Sequence, residues 1–190
     1  MVQLVMVDVQ PRDRLLDAAV GHALDQGIVD LSLREIASAI GTSHRMLIYH
    51  FGSREGLLVA VVREVERRQR EMIAWESLTA DDARRTWARL VDPSLRTQER
   101  LFFEIYVHAL LGRPGTEGFL DEALEGWISP MVESLTGSGV EPDEARAVAR
   151  LGVAVTRGLL LDLLATGDSA GVTRAYELFA SLFEQASSGA

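Results

Sequence analysis

Cysteine is absent from the 190 residues, lysine is absent too, and histidine occurs only four times. Without cysteine there are no disulfides and no thiol chemistry, which fits a reducing compartment, here expected to be the cytoplasm. No apolar run approaches eighteen residues, so no transmembrane helix is expected and the membrane is not a partner. The opening MVQLVMVDVQ is apolar but lacks a basic n-region and a cleavage site; it reads as a loose arm rather than a signal peptide. Also missing are a glycine-rich phosphate loop, a cysteine nucleophile and a His-Glu-x-x-His pair. His22, His44, His50 and His108 are too dispersed to define a metal site. These absences argue against an enzyme, and no cofactor or metal is expected.

What is present is a chain 47% apolar, long enough for a small head and one larger domain with ample core. The net charge of −9 and the pI near 4.9 are the opposite of what a nucleic-acid binder usually shows. The charge is unevenly placed. Residues 1–70 hold nine acidic residues and nine arginines, leaving 19 of the 28 acids and 10 of the 19 arginines for residues 71–190. Any phosphate contact therefore falls to the near-neutral N-terminal part. The exclusive use of arginine is explained more simply by GC-rich coding than by selection for DNA contacts.

Residues 31–58, LSLREIASAIGTSHRMLIYHFGSREGLL, carry the most information. Ser32-x-x-Glu35 is a capping box opening a helix whose Leu33, Ile36, Ala37 and Ile40 form an inward stripe. Gly41 can take the positive φ of a turn, and Ser43 is a good N-cap for the next, very short helix. At about 100° per residue Leu47 and Phe51 share one face. Tyr49 points nearly opposite, flanked by Arg45 and Met46. An aromatic and a cation facing outward on a small helix braced from behind is how a helix-turn-helix meets the major groove. A solvated helical hairpin with a surface tyrosine is the other reading of these residues. Thr42, Ser43 and His44, near the helix N-terminus, can donate to phosphates or base edges, unless Ser43 serves only as a cap.

The same stretch resembles the N-terminal domain of the TetR family of transcriptional repressors. That family's pattern runs apolar-x-x-Ile-Ala-x-x-x-Gly-Val-Ser-x-x-x-Leu-Tyr-x-His-Phe-x-(Ser/Asn)-Lys-x-x-Leu. This chain places Ile36, Ala37, Gly41, Thr42, Ser43, Leu47, Ile48, Tyr49, His50, Phe51, Ser53, Arg54 and Leu57 along it. It departs at the Leu-Tyr pair, where Ile48 stands in the tyrosine position and Tyr49 in the variable one. The resemblance covers about residues 11–62. It implies a homodimer that binds a palindromic operator in double-stranded DNA and is released by a small-molecule effector. By the same resemblance Tyr49 sits where a base- or methyl-contacting residue is often found, and Arg45 is a base or phosphate contact. Arg34 either reaches a base, as it can in relatives, or forms a salt bridge. His50 and Arg54 match the family's His and Lys phosphate contacts. Ile48 cannot supply the family's tyrosine hydroxyl and can at most touch a thymine methyl.

No convincing period-2 strand occurs, so the expected fold is all-α with about nine helices. Residues 1–56 would form a three-helix helix-turn-helix DNA-binding domain, and 57–190 a helical bundle for effector binding and dimerisation. The first helix starts at Pro11, presents Leu15, Leu16, Ala19, Val20, Ala23 and Leu24, and stops at Gly27. The fourth, capped by Ser53, turns Leu57, Leu58, Val61, Val62 and Val65 inward and runs unbroken over 53–75. Five more are expected at about 80–91, 95–111, 117–135, 143–165 and 170–186, with Pro130 kinking or splitting the seventh.

The last two helices are apolar beyond the needs of one face, and Gly152, Ala154 and Gly158 would let a neighbour approach closely. A homodimer interface over about 143–186 follows, with burial inside a monomer core as the competing reading. Candidate effector-binding residues are Trp87, Phe102, Tyr106, Trp127 and Met131, with His108 and Asp162 as polar anchors. Such a lining favours an apolar or planar aromatic ligand, although aromatics at helical spacing serve as plain core equally well. Asp162, inside LLLDLLA, is costly unless it meets a ligand or an arginine across the dimer. The sequence reads as a DNA-binding regulator, a repressor released by its effector. A helical interaction protein with a vestigial helix-turn-helix and a helical enzyme are the alternatives.

Overall fold

The computed structural model describes residues 10–73, 75 and 79–188, with side chains as far as Ser181. The N-terminal arm, the last two residues, and the side chains of Leu182 and Phe183 in the apolar last helix lie outside what is described. Among the described residues there are nine α-helices and no strand: α1 Pro11–Gln26, α2 Leu33–Ala39, α3 His44–Phe51, α4 Arg54–Glu71, α5 Ala80–Leu90, α6 Arg96–Leu110, α7 Phe119–Gly137, α8 Pro142–Thr166 and α9 Ser169–Ser188. None of them is long and apolar enough to cross a membrane.

Local chemistry sets the starts. Pro11 opens α1 and Pro142 opens α8, where a missing N–H costs nothing. Ser32 accepts the Glu35 N–H at 3.3 Å while the Glu35 carboxylate accepts the Ser32 N–H at 2.8 Å, closing the capping box of α2. Ser43 caps α3 by accepting from Met46, and Ser53 caps α4 by accepting from Gly56 at 2.9 Å. Gly41 turns at φ +70° between α2 and α3.

Helix α4 is the centre of the molecule. Residues 57–62 are all buried, because α1 and α3 cover one side of it and α6 and α7 the other. One continuous core results, running from Val20, Ile36, Leu47 and Phe51 through Leu57 and Val61 to Leu101, Ile105 and Phe119. Two satellite clusters join α5, α8 and α9 around Trp87, Leu160 and Tyr176, and α7 with α8 around Ile128 and Val153.

One expectation is corrected and one alternative is narrowed. Helix α4 ends at Glu71, four residues short of Trp75, whose indole N–H donates to the Arg70 carbonyl at 3.1 Å beyond the helix end. Of the two effects expected of Pro130, splitting does not occur: α7 runs through it as one helix from Phe119 to Gly137.

Candidate nucleic-acid interface and effector cavity

Helix α3 is held from behind. Leu47 is wholly buried and Phe51 nearly so, and both lie in the core shared with α1, α2 and α4. The opposite face carries Arg45, Met46, Ile48 and Tyr49, all exposed; Tyr49 is 79% exposed, the largest value among the large apolar side chains. Arg34, Ser43 and His44 are exposed beside them, and Thr42 is half-buried, its N–H on the Ala37 carbonyl at 2.8 Å. A short helix thus presents an aromatic ring and a guanidinium on a firm base, with a capped N-terminus alongside.

Two residues expected to contact phosphate are engaged within the protein. Arg54 donates through Nε to the Leu31 carbonyl at 2.8 Å and through Nη2 to the Val29 carbonyl, and Nη1 lies 3.9 Å from Glu55. Its guanidinium braces the loop before α2 against the first turn of α4. His50 is half-buried, edge-on to Tyr49 at 4.9 Å, and its Nε2 is enclosed without a hydrogen-bond partner. The family pattern matches residue types at these positions and does not report which way the side chains turn.

The start of α4 also meets the body. Gly56 leaves no room for a side chain, as a Cβ would run into the Phe51 carbonyl oxygen, and Gly115 of the α6–α7 turn packs against Gly56 and Ser53. Arg63 of α4 pairs with Glu122 of α7 at 2.5 Å and donates to the Glu117 carbonyl at 3.1 Å.

Residues of α4 and of α5 to α9 line a cavity of about 140 Å³. Of the expected effector residues, Phe102, Trp127 and Met131 line it. Trp87 does not; it is buried against Tyr176, rings stacked 4.5 Å apart, tying α5 to α9. Tyr106 stands one layer back, its ring against Arg157 at 5.4 Å. His108 is half-buried away from the cavity, with Nδ1 enclosed and unpartnered. Asp162 is exposed on α8 of the protomer and does not line the cavity.

Sequence reasoning missed the cavity's charged wall. Glu66 from α4, Glu99 from α6 and Arg157 from α8 all line it. Glu66 accepts from the Trp127 indole N–H at 2.6 Å, with Arg70 Nη1 3.5 Å away. Burial raises its carboxyl above the usual range, and the Trp127 bond and the Arg157 and Arg70 charges work against that. Glu99 is only 7% exposed, and burial together with the Glu66 charge pushes it up to about 7. Arg157 donates through Nη2 to the Ala123 carbonyl at 2.6 Å and lies over the Phe102 ring at 5.0 Å, while burial lowers its pKa. A sequence signal existed. Glu66 follows Val62 by four residues, Glu99 precedes Phe102 by three, and Arg157 lies between Val153 and Leu160 at spacings of four and three. Each is a charge set within an inward stripe.

Residues 15–61 match the family model described as bacterial regulatory proteins, tetR family. The HTH-type transcriptional regulator BetI of Cronobacter sakazakii is 34% identical over 70 residues, which are 36% of this chain and 35% of the length of that relative. A transcriptional regulator from Rhodococcus sp. Rha1 shares the fold over 93% of this chain and 97% of its own, with a TM-score of 0.72 at 18% identity. The multidrug binding protein EbrR, complexed with proflavin, gives a TM-score of 0.63 at 26% identity over 91% of this chain and 99% of its own.

Proposed function

We propose that this chain, whose residues 15–61 match the tetR family of bacterial regulatory proteins, is a cytoplasmic repressor that binds a palindromic operator as a homodimer and leaves it when a small molecule fills the cavity. The observation that carries the reading is the presentation of Tyr49 and Arg45 on the exposed face of α3, with Leu47 and Phe51 anchoring that helix from behind. Arg34, Thr42, Ser43 and His44 surround this face and serve as base or phosphate contacts. The functional division falls at about residue 56, where the head gives way to the body.

Exposed apolar side chains on the last two helices support the dimer. Leu151 and Leu161 of α8 and Leu178 of α9 are each more than half exposed. An isologous interface there would cover them and supply two heads for a palindrome.

Coupling runs along α4. Its first turn is braced to the head through Arg54 and Ser53, and Glu66, about 20 Å further along the helix, is in the cavity wall. A ligand that displaces Glu66 or its Trp127 partner tilts α4 and changes the head separation. Two heads fit a palindrome only at a spacing of about one helical turn of DNA or a multiple of it. The effector then has different affinities for the DNA-competent and released dimers, and operator DNA must weaken effector binding by the same factor. EbrR, which takes proflavin, supports a planar aromatic effector for this related fold.

The test is a mobility-shift titration of the full chain against the DNA upstream of its own gene, with a thermal-shift screen for ligands run in parallel. Retarded, salt-sensitive, sequence-specific complexes dissolved by a confirmed ligand are the expected result. If no DNA segment is bound specifically, the head is vestigial and the chain is an interaction protein.

A further inference from the structure

We propose that the cavity takes an apolar, aromatic organic cation, whose positive charge is seated on the Glu99 carboxylate. This rests on the cavity being the effector site, and names the chemistry that site selects.

Glu99 is the odd group in the wall. Glu66 already has the Trp127 indole and the Arg70 guanidinium. Arg157 directs Nη2 to the Ala123 carbonyl and its flat face to Phe102 and Tyr106. Among the described residues Glu99 has only the neutral Gln69 side chain as a hydrogen-bonding partner. It is a carboxyl more than nine-tenths buried, in the wall of the cavity, with no cation in direct contact among the described residues. Such a carboxylate is unfavourable unless a proton or another positive charge joins it. The remaining surface of the cavity suits the rest of such a ligand. Phe102, Trp127, Tyr176 and Phe179 offer ring faces, and Met131 and Leu160 offer adaptable apolar contact.

The titratable and charged groups around Glu99 are Glu66 and Arg70 from α4, Arg157 from α8, and the phenols Tyr106 and Tyr176. The two guanidiniums are matched by Glu66 and by the backbone and ring contacts of Arg157. A bound cation therefore takes the place of the proton that Glu99 holds in the empty cavity. Binding tightens as pH rises through Glu99's range near 7, and ligand entry releases a proton. An anion would gain nothing from protonated Glu99 and would have to draw Arg157 from its Ala123 and ring contacts, and a neutral ligand would leave Glu99 as it is.

Calorimetric titration of the full chain with three probes of one shape tests this: 1-naphthylmethylammonium, 1-naphthylmethanol and 1-naphthoate, at pH 5.5 and 8. The cation is expected to bind at least about tenfold more tightly than the alcohol at pH 8 and to lose most of that margin at pH 5.5. Near pH 7 its binding should release up to one proton, read from buffers of different ionisation enthalpy. Glu99→Gln should erase both the margin and the proton release while leaving the alcohol's affinity unchanged, with circular dichroism confirming the fold. The wild-type probe series decides the matter by itself if that variant does not fold. Equal affinity for alcohol and cation at pH 8 overturns the proposal, as does failure of all three to bind at millimolar concentration. Tighter binding of naphthoate overturns it in favour of Arg157 as the anchor. Operator binding is measured separately: a cation that binds in this pH-dependent way without loosening DNA leaves the site in place and removes the release mechanism.

Discussion

The guanidinium of Arg54 and the carbonyl of Leu31 are joined by a 2.8 Å hydrogen bond that fastens the first turn of α4 to the loop leading into α2. With the second bond, to Val29, it fixes the first turn of α4 against the loop between α1 and α2. Charged hydrogen bonds of this kind each contribute about 1.5–3 kcal/mol. Arg54→Ala should lower unfolding stability by about 2–3 kcal/mol in urea titrations and weaken operator binding, with little change in the salt slope. Lysine should not rescue, because it cannot fork across two carbonyls. A salt slope flattened by about one unit would show that Arg54 reaches phosphate after all.

Tyr49 gives the converse behaviour. Its ring is largely solvated, so Tyr49→Ala should leave the melting temperature where it was. Affinity for the specific operator should fall by about 1–3 kcal/mol while nonspecific binding changes little. Unchanged operator affinity would move the recognition surface elsewhere on α3.

Leu151→Arg combined with Leu178→Arg should produce a folded monomer by sedimentation velocity, since both side chains lie on the surface of the protomer. Operator affinity should collapse with the loss of the second half-site contact. A double variant that sediments as a dimer would place the interface on another face.

Protonated Glu99 is the form the fold prefers, because its folded pKa of about 7 lies above the ordinary 4.5. Its stabilising contribution is complete below pH 4.5 and is lost as pH rises through 7, on the order of 3 kcal/mol in all. Glu99→Gln should therefore match wild type near pH 4.5 and exceed it in urea midpoint at pH 8. Parallel curves for the two proteins from pH 4 to 8 would show that the carboxyl does not change its protonation preference on folding.

The head was readable because its information is local. A capping box, a glycine turn and two serine caps specify α2 to α4 within 31–58, and the expected and observed helices agree there to within a residue or two. The orientation of Arg54 was not readable, because it depends on the Val29 and Leu31 carbonyls, more than twenty residues away in the chain. The end of α4 carries no glycine or proline, so nothing local marks the stop at Glu71. The cavity was half legible. Phe102, Trp127 and Met131 follow from aromatic and apolar spacing, whereas Trp87 has the same spacing and closes the α5–α9 contact. Glu66 was overlooked because the dense Arg–Glu run over 63–71 reads as a solvated face, which holds for Arg67 and Arg68 but not for Glu66, aligned with Val62.

An unbroken apolar core from α1 through α4 into α6 and α7 has a thermodynamic meaning for a molecule with two jobs. The head cannot melt while the body stands, since unfolding either one strips the other side of α4. Calorimetry should record a single transition, and limited proteolysis should release no stable fragment ending near residue 56. Whatever binds in the cavity therefore also protects the reading head from unfolding, so occupancy could prolong the protein's survival in the cell while taking it off its operator.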